Sequence, residues 1–187
     1  MTNTRKTAGS TSGCNYILTL KTRQVELDGI GLFEDDGGID CGDCDPFDLT
    51  EPSDDGVIEM MTEAEVKTDG GRLIIAYDET EITGMGESKT EISFMQGDPT
   101  VISVMRTGDV RTALVIEQGV RHICTYDTPV MPFEVCTYAR KAVNTITEDG
   151  GEMHLDYIVE IHGALAQRTL LDVVLRRTDA DAFGGES

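Results

Sequence analysis

The sequence predicts an all-β domain, an antiparallel up-and-down β-barrel, and three observations support this prediction. Apolar and polar residues alternate with period two along most of the 187-residue chain, as they do in half-buried strands. Short turn sequences rich in Gly, Asp and Pro separate the alternating segments. No segment carries a 3.6-residue apolar stripe over three helical turns, which argues against an α/β alternation. Closure into a barrel is the usual way in which such a meander removes its free edges.

About ten strand segments are expected along the chain. The first is 16–26, and the second alternates from Ile58 to Val66 with glutamates on its opposite face. Asp69-Gly70-Gly71 then supplies the positive φ angles of a tight hairpin. The remaining segments, each bounded by a further turn sequence, are 72–80, 87–96, 100–106, 110–117, 120–126, 133–147, 152–162 and 164–177.

These segments form one predicted domain, residues 14–177, because no internal repeat and no linker divides the chain. Residues 1–13 and 178–187 are polar and have nothing to pack, so we expect disordered tails. Segment 34–55 contains ten acidic residues and neither Lys nor Arg. Like charges repel at that density, which predicts an exposed acidic loop inserted between two strands.

The balance of acidic and basic side chains argues against some classes of binding partner and favours another. The chain carries 35 acidic and 15 basic residues, a net charge of -20. This argues against nucleic acid and against an anionic membrane surface as partners, and it favours a basic protein. No apolar run approaches the ~20 residues that span a bilayer, and residues 1–13 lack the apolar core of a secretory signal. The five Cys show no disulfide-framework spacing, which predicts reduced thiols and a cytoplasmic location.

Four short motifs follow one another in the middle of the chain. They are Thr83–Thr90, Val104–Gly108, Glu117–His122 and Tyr126–Pro129. In this order and at these intervals the sequence resembles the YwiB-like family of uncharacterised bacterial proteins, over residues 57–177 and with segment 16–26 as the first strand. The resemblance implies a calycin-like β-barrel, similar in architecture to lipocalins, and a bacterial cytoplasmic setting. It implies no catalytic residue, since the family's activity is not established.

The Cys41-Gly42-Asp43-Cys44 motif is compatible with half of a zinc site or with a redox pair. A zinc site needs two more ligands, and the sequence has no second pair at ligand spacing. The neighbouring aspartates raise a thiol pKa, which is unfavourable for redox chemistry. The acidic loop does not match the ligand register of an EF-hand either. We therefore predict an incidental cysteine pair, a solvated charge run, no metal and no cofactor.

Four polar residues of segment 152–162 share one strand face, which at first suggests a metal cluster. The four are His154, Asp156, Glu160 and His162. At ~3.4 Å per residue the two histidines lie ~27 Å apart, too far to share an ion. The opposite face is apolar, so the polar face is predicted to be the solvent side of the barrel wall.

A second polar group is the candidate ligand-binding site. Its members are Lys89, Arg106, Arg121, His122 and Tyr126. Arg106 and His122 share strand parity with apolar residues, so both enter the barrel if those apolar residues point inward. There they would bind a carboxylate or phosphate group. The opposite parity sends Arg106 outward, and an interior Arg paired with a Glu, or a satisfied core His, is the structural alternative.

Three functions from different classes remain. The preferred one is a barrel that binds a small anionic or amphipathic molecule. The second is an acidic protein-interaction or regulatory module whose barrel is filled by large residues. The candidates for such filling are Phe94, Met105, Phe133 and Tyr157. The third is an enzyme that uses His122 as general base, with Tyr126 or Arg121 stabilising charge, although the sequence has no recognisable catalytic motif.

Overall fold

The computed structural model describes residues 15–27, 56–79, 88–108, 111–161 and 165–178. These residues form ten β-strands, which confirms the all-β prediction. The strands are β1 (Asn15–Leu27), β2 (Ile58–Asp69), β3 (Arg72–Asp78), β4 (Ser88–Met95), β5 (Asp98–Gly108), β6 (Arg111–Glu117), β7 (Arg121–Asp127), β8 (Pro132–Asn144), β9 (Gly150–Ile161) and β10 (Leu165–Thr178). No helix in the described part of the chain is long and apolar enough to cross a membrane.

The strands close into an up-and-down barrel, as the sequence predicts. Each strand pairs antiparallel with its neighbour in sequence, and β1 pairs with β10 to close the circle. The closing ladder runs from Asn15 opposite Thr178 to Leu27 opposite Ala166. Among the described strands, closure leaves no free edge except along β6 and β7, which share two register pairs.

Several predicted segments lie outside the described residues. They are the tails 1–13 and 179–187, the acidic loop 34–55 with its Cys41–Cys44 pair, the turn 83–86 and His162. Thr178, assigned to the C-terminal tail from sequence, is the last residue of β10.

The turn between β8 and β9 covers one end of the barrel. Ile146 in this turn is buried in the main apolar cluster, and Tyr16 Oη donates a hydrogen bond to the carbonyl of Glu148. Gly150 and Gly151 have φ angles of +115° and +138°, and a Cβ on either would lie 2.6 Å from a backbone oxygen. Glycine is therefore required where the turn folds over the barrel.

The barrel interior next to this turn is filled by apolar side chains. The cluster draws on most strands and includes Leu18, Leu73, Ile75, Ile92, Phe94, Ile102, Ile116, Met153, Val173 and Leu175. Phe94 and Tyr157 belong to the interior, as expected of residues that fill the barrel. Met105 does not: it alternates with the inward-facing Val104 and Arg106, so it faces outward and is 43% exposed.

The wall is irregular between β6 and β7. In the described residues this ladder has two register pairs, Arg111 with Asp127 and Thr112 with Tyr126. Farther along, β6 approaches β8 directly, and the Thr137 hydroxyl donates to the carbonyl of Val115 at 2.6 Å. The strand between them, β7, is therefore displaced from the regular wall over its first half.

Candidate functional site

Three neighbouring strands place a polar row on the barrel interior. Thr90 of β4, Arg106 of β5 and Thr112 of β6 are consecutive register partners. Each shares its strand face with residues of the main apolar cluster, such as Ile92, Ile102 and Ile116. The row lies near the strand ends opposite the β8–β9 turn. We call these three residues the interior row.

Arg106 is paired with a buried carboxylate. Its Nη2 donates to Oε1 of Glu79 at 3.0 Å, and its Nε donates to Oγ1 of Thr90 at 3.3 Å. Thr90 in turn donates to the same Glu79 oxygen at 2.7 Å. The side chains of Arg106 and Glu79 are 19% and 3% exposed. The charge of the guanidinium is thus balanced inside the barrel, which matches the alternative of an interior Arg–Glu pair.

Two tyrosines complete this polar region. Burial raises the pKa of Tyr77, and the nearby Glu79 carboxylate raises it further. Burial also raises the pKa of Tyr157 on β9. A hydrogen bond with Thr169 and the positive charge of Arg106 lower this pKa, but the effect of burial is larger. Both phenols therefore stay protonated at neutral pH, and Tyr157 lies close enough across the barrel to interact with Arg106.

The hydroxyl of Thr112 has no hydrogen-bond partner among the residues that the structure describes. Thr112 is 5% exposed, and its Oγ1 is buried without any donor or acceptor to satisfy it. Buried polar side-chain atoms nearly always have a partner, so an unsatisfied one calls for an explanation. Thr112 is the register partner of Arg106 on one side and of Tyr126 on the other. Its orphan hydroxyl therefore lies between two of the sequence-predicted site residues.

His122 and Tyr126 are also on the interior face, as their strand parity predicts. His122 Nε2 lies 3.0 Å from Oε2 of Glu117, and both side chains are partly exposed. Tyr126 stacks on Phe133 with ring centroids 5.1 Å apart. In the described residues no Ser, Thr or Cys side chain hydrogen-bonds to the imidazole ring. The pair lacks the adjacent nucleophile that a covalent mechanism would use.

Lys89 and Arg121 lie on the other side of the wall. Lys89 alternates with the inward-facing Thr90, and its Nζ is 3.9 Å from a carboxylate oxygen of the exposed Glu65. Arg121 is the register partner of Tyr138 on the outer face. The structure therefore brings three of the five predicted site residues, Arg106, His122 and Tyr126, to the interior and leaves these two outside.

The polar face of β9 lies on the outer side of the wall, as predicted, and the His154 side chain is 45% exposed, but the expectation of a solvent-facing surface is wrong for its other two described residues. Asp156 and Glu160 are buried on the outer side of the wall, as are Ile158 and Cys136. Asp156 accepts two hydrogen bonds from the buried Arg168, at 2.9 and 3.0 Å, and two more from Arg140. Paired in this way, a carboxylate tolerates burial. Among the described residues no group of three or more His, Cys, Asp or Glu is placed to hold a metal ion.

Comparisons with known proteins agree with this architecture. Residues 48–173, more than half of the chain, match the family described as "Domain of unknown function (DUF1934)". The crystal structure of ywiB protein from Bacillus subtilis is similar in fold, with a TM-score of 0.58 and 18% sequence identity. The match covers 92% of this chain and all of the Bacillus chain. A search of curated proteins gave no match. The chain therefore belongs to the DUF1934 family, the YwiB-like family that its sequence motifs resemble.

Proposed function

We propose that this protein binds one small amphipathic molecule inside its barrel, with the polar head of the ligand at the interior row. The observation that carries the proposal is the orphan hydroxyl of Thr112, buried beside Arg106. A ligand oxygen accepting from Thr112 would remove the cost of that unpaired group. In the described part of the chain Cys124 and Cys136 form no disulfide bond, which supports a cytoplasmic setting as part of the same proposal.

The size of the barrel supports an internal ligand. An eight-stranded barrel is just wide enough to be filled by side chains or to hold one small ligand, and the diameter grows with strand number. This barrel has ten strands. The main apolar cluster occupies the half next to the β8–β9 turn, and the polar residues occupy the other half. The polar half is the part of the interior that the apolar cluster does not fill, and the polar end of a ligand would lie there at the interior row.

The charged residues at the site limit the net charge that the polar head group of the ligand can carry. Glu79 already balances Arg106, so a head with two negative charges would lie close to a buried carboxylate. Like charges repel strongly where water is excluded. Two of the three guanidinium nitrogens, Nε and Nη2, have partners among the described residues. The remaining nitrogen, Nη1, and the Thr112 hydroxyl suit an uncharged or singly charged oxygen acceptor, such as a carboxylate or an amide.

Calorimetric titration with three ligands of equal chain length tests this proposal. Dodecanoic acid and dodecanamide are expected to bind one per barrel, and dodecyl phosphate at least tenfold more weakly. Thr112→Val removes one neutral hydrogen bond and should weaken binding roughly three- to tenfold. Thr125→Val, an exposed outer-face change, is the matched control. No saturable binding of any of the three ligands would reject the proposal, as would equal binding by both variants.

A basic protein partner is the second candidate, favoured by the outer face of β2. Glu59, Glu63 and Glu65 alternate on that face around Met61, which is 71% exposed. Acidic side chains around an exposed apolar residue suit a basic surface with an apolar contact. A photo-crosslinking residue at position 61, used in cells, should capture a basic protein that the same residue at position 143 does not capture. Equal capture at both positions would count against this candidate.

A further inference from the structure

The outer face of β5, β6 and β7 has an uncharged centre. We call this surface the β5–β7 face. Its central residues, each pointing away from the barrel interior, are Val101, Ser103, Met105, Ala113, Val115, Ile123 and Thr125. Ile123 is 65% exposed, and Met105 and Val101 are also well exposed. Six of the ten large apolar side chains most exposed on the described surface belong to β5, β7 and the turns beside β7.

The charged residues at the rim of this face nearly balance one another. Arg111, Glu117, Arg121 and Asp127 stand at the ends of β6 and β7 on the outward parity, and Glu117 contacts His122 at 3.0 Å. The outward register neighbours on β4 and β8 add Lys89, Glu91 and Glu134, which makes three positive and four negative residues. The rest of the chain is strongly acidic, since the net charge is -20. The outward residues of β2, in contrast, include three glutamates and one lysine. The β5–β7 face is therefore a nearly neutral surface in a highly negative protein.

We propose that the β5–β7 face binds a second copy of this chain across a two-fold axis. A two-fold interface uses the same surface on both partners, so that surface must complement itself. An apolar centre needs no opposite charge, and a rim with both basic and acidic residues can pair a basic group such as Arg111 with an acidic group such as Asp127 of the second copy. A basic partner would instead be attracted to the acidic surfaces elsewhere. The balance of charge thus favours a second copy as the occupant.

Ionic strength gives this association a distinctive signature. Two copies that each carry a charge of -20 repel one another at long range, and salt screens that repulsion. The centre of the β5–β7 face contributes apolar burial, which salt does not weaken. Association should therefore strengthen between about 0.05 and 0.5 M NaCl. Binding to a basic partner would weaken over the same range.

Sedimentation velocity over roughly two decades of protein concentration tests the proposal. The wild-type chain is expected to form dimers, more readily at the higher salt concentration. Ile123→Glu puts a carboxylate into the centre of each face, where like charges would oppose each other, and should weaken the dimer at least ~100-fold. Met61→Glu adds the same charge at an equally exposed residue of β2 and should leave the dimer unchanged. Ile123→Lys lowers the net negative charge and should still disrupt the dimer.

Three outcomes would overturn the proposal. A wild-type chain that stays monomeric at the highest concentration in 0.5 M NaCl has no such interface. A dimer that survives both substitutions of Ile123 uses another surface. A dimer weakened equally by Ile123→Glu and Met61→Glu responds to total charge and not to this face. Circular dichroism establishes that each variant is folded, as expected for substitutions at exposed side chains.

Discussion

Replacing Thr112 with valine is expected to change stability and ligand binding in opposite directions. Valine keeps the β-branched shape of threonine and removes Oγ1, which is buried without a partner. In the unfolded chain the same hydroxyl bonds to water, so folding leaves it unsatisfied at a cost of ~1–3 kcal/mol. Thr112→Val should therefore raise the free energy of unfolding of the ligand-free protein by ~1–2 kcal/mol, while it weakens binding of the ligand.

Thr90 provides the matched control, because it flanks Arg106 on the other side of the interior row. It is fully buried, donates to Glu79 at 2.7 Å and accepts from Arg106 at 3.3 Å. Thr90→Val removes both bonds and leaves two charged groups less satisfied. We expect it to lower the free energy of unfolding by ~1–3 kcal/mol.

Urea denaturation followed by far-ultraviolet circular dichroism measures both variants, since the chain has no tryptophan. For a chain of this size, 1 kcal/mol corresponds to a shift in melting temperature of roughly 2–4 °C. The measurement is made on protein refolded from denaturant, which is free of co-purified ligand. A loss of 1 kcal/mol or more in Thr112→Val would show that the hydroxyl has a partner, and the main support for an internal ligand would be gone.

Three further predictions concern stability. Glu79→Gln leaves the partly buried Arg106 without its counter-charge. We expect it to lower the free energy of unfolding, measured by urea denaturation, by about 2–4 kcal/mol. A loss below 1 kcal/mol would mean that solvent already stabilises the guanidinium. Burial raises the pKa of Cys136 from 9.0 to about 11, so the folded state holds this proton more tightly than the unfolded state. The contribution of this buried thiol to the free energy of unfolding is fully present below pH 9. It is lost as the pH rises through 11, and the loss reaches about 2–3 kcal/mol. Cys136→Ala should flatten the decline of unfolding free energy across this window, and an unchanged slope would contradict the assignment. Gly151→Ala should lower the melting temperature by ~4 °C or more, because the added Cβ would meet the carbonyl oxygen of Thr145 at a positive φ angle. Gly56→Ala is its control, with a similar φ and no atom within 4 Å, and an equal loss in both would assign the effect to backbone strain alone.

The strands and their closure could be predicted because a single rule governs them. Alternation with period two marks each strand, and Gly-containing turns such as Asp69 to Arg72 mark where each strand ends. The same alternation identifies further interior polar residues besides Arg106 and His122, the two that the sequence analysis placed inside the barrel. Glu79 continues the inward parity of Ile75 and Tyr77, and Thr112 continues that of Ile116. Polar residues at inward positions were therefore identifiable from the pattern.

Other features could not be read from the pattern, because parity gives the face of a residue and not what covers that face. Asp156 and Glu160 lie on the outer side of β9, as their parity indicates, yet both are buried. The partner of Asp156, Arg168, lies on the next strand at a register that only the assembled ladder defines. The displacement of β7 likewise depends on Thr137, which bonds to a carbonyl two strands away.

The ladder between β1 and β10 also decides when the barrel can form during synthesis. Asn15 pairs with Thr178, so the first of these ten strands to be synthesised waits for the tenth before its outer edge is covered. Contacts between residues so far apart in sequence are slow to form. Until then the growing chain is an open sheet with two free edges, the form most exposed to mispairing with other chains. We therefore expect the chain to be most prone to aggregation before β10 pairs with β1, and less so once this pairing has closed the barrel.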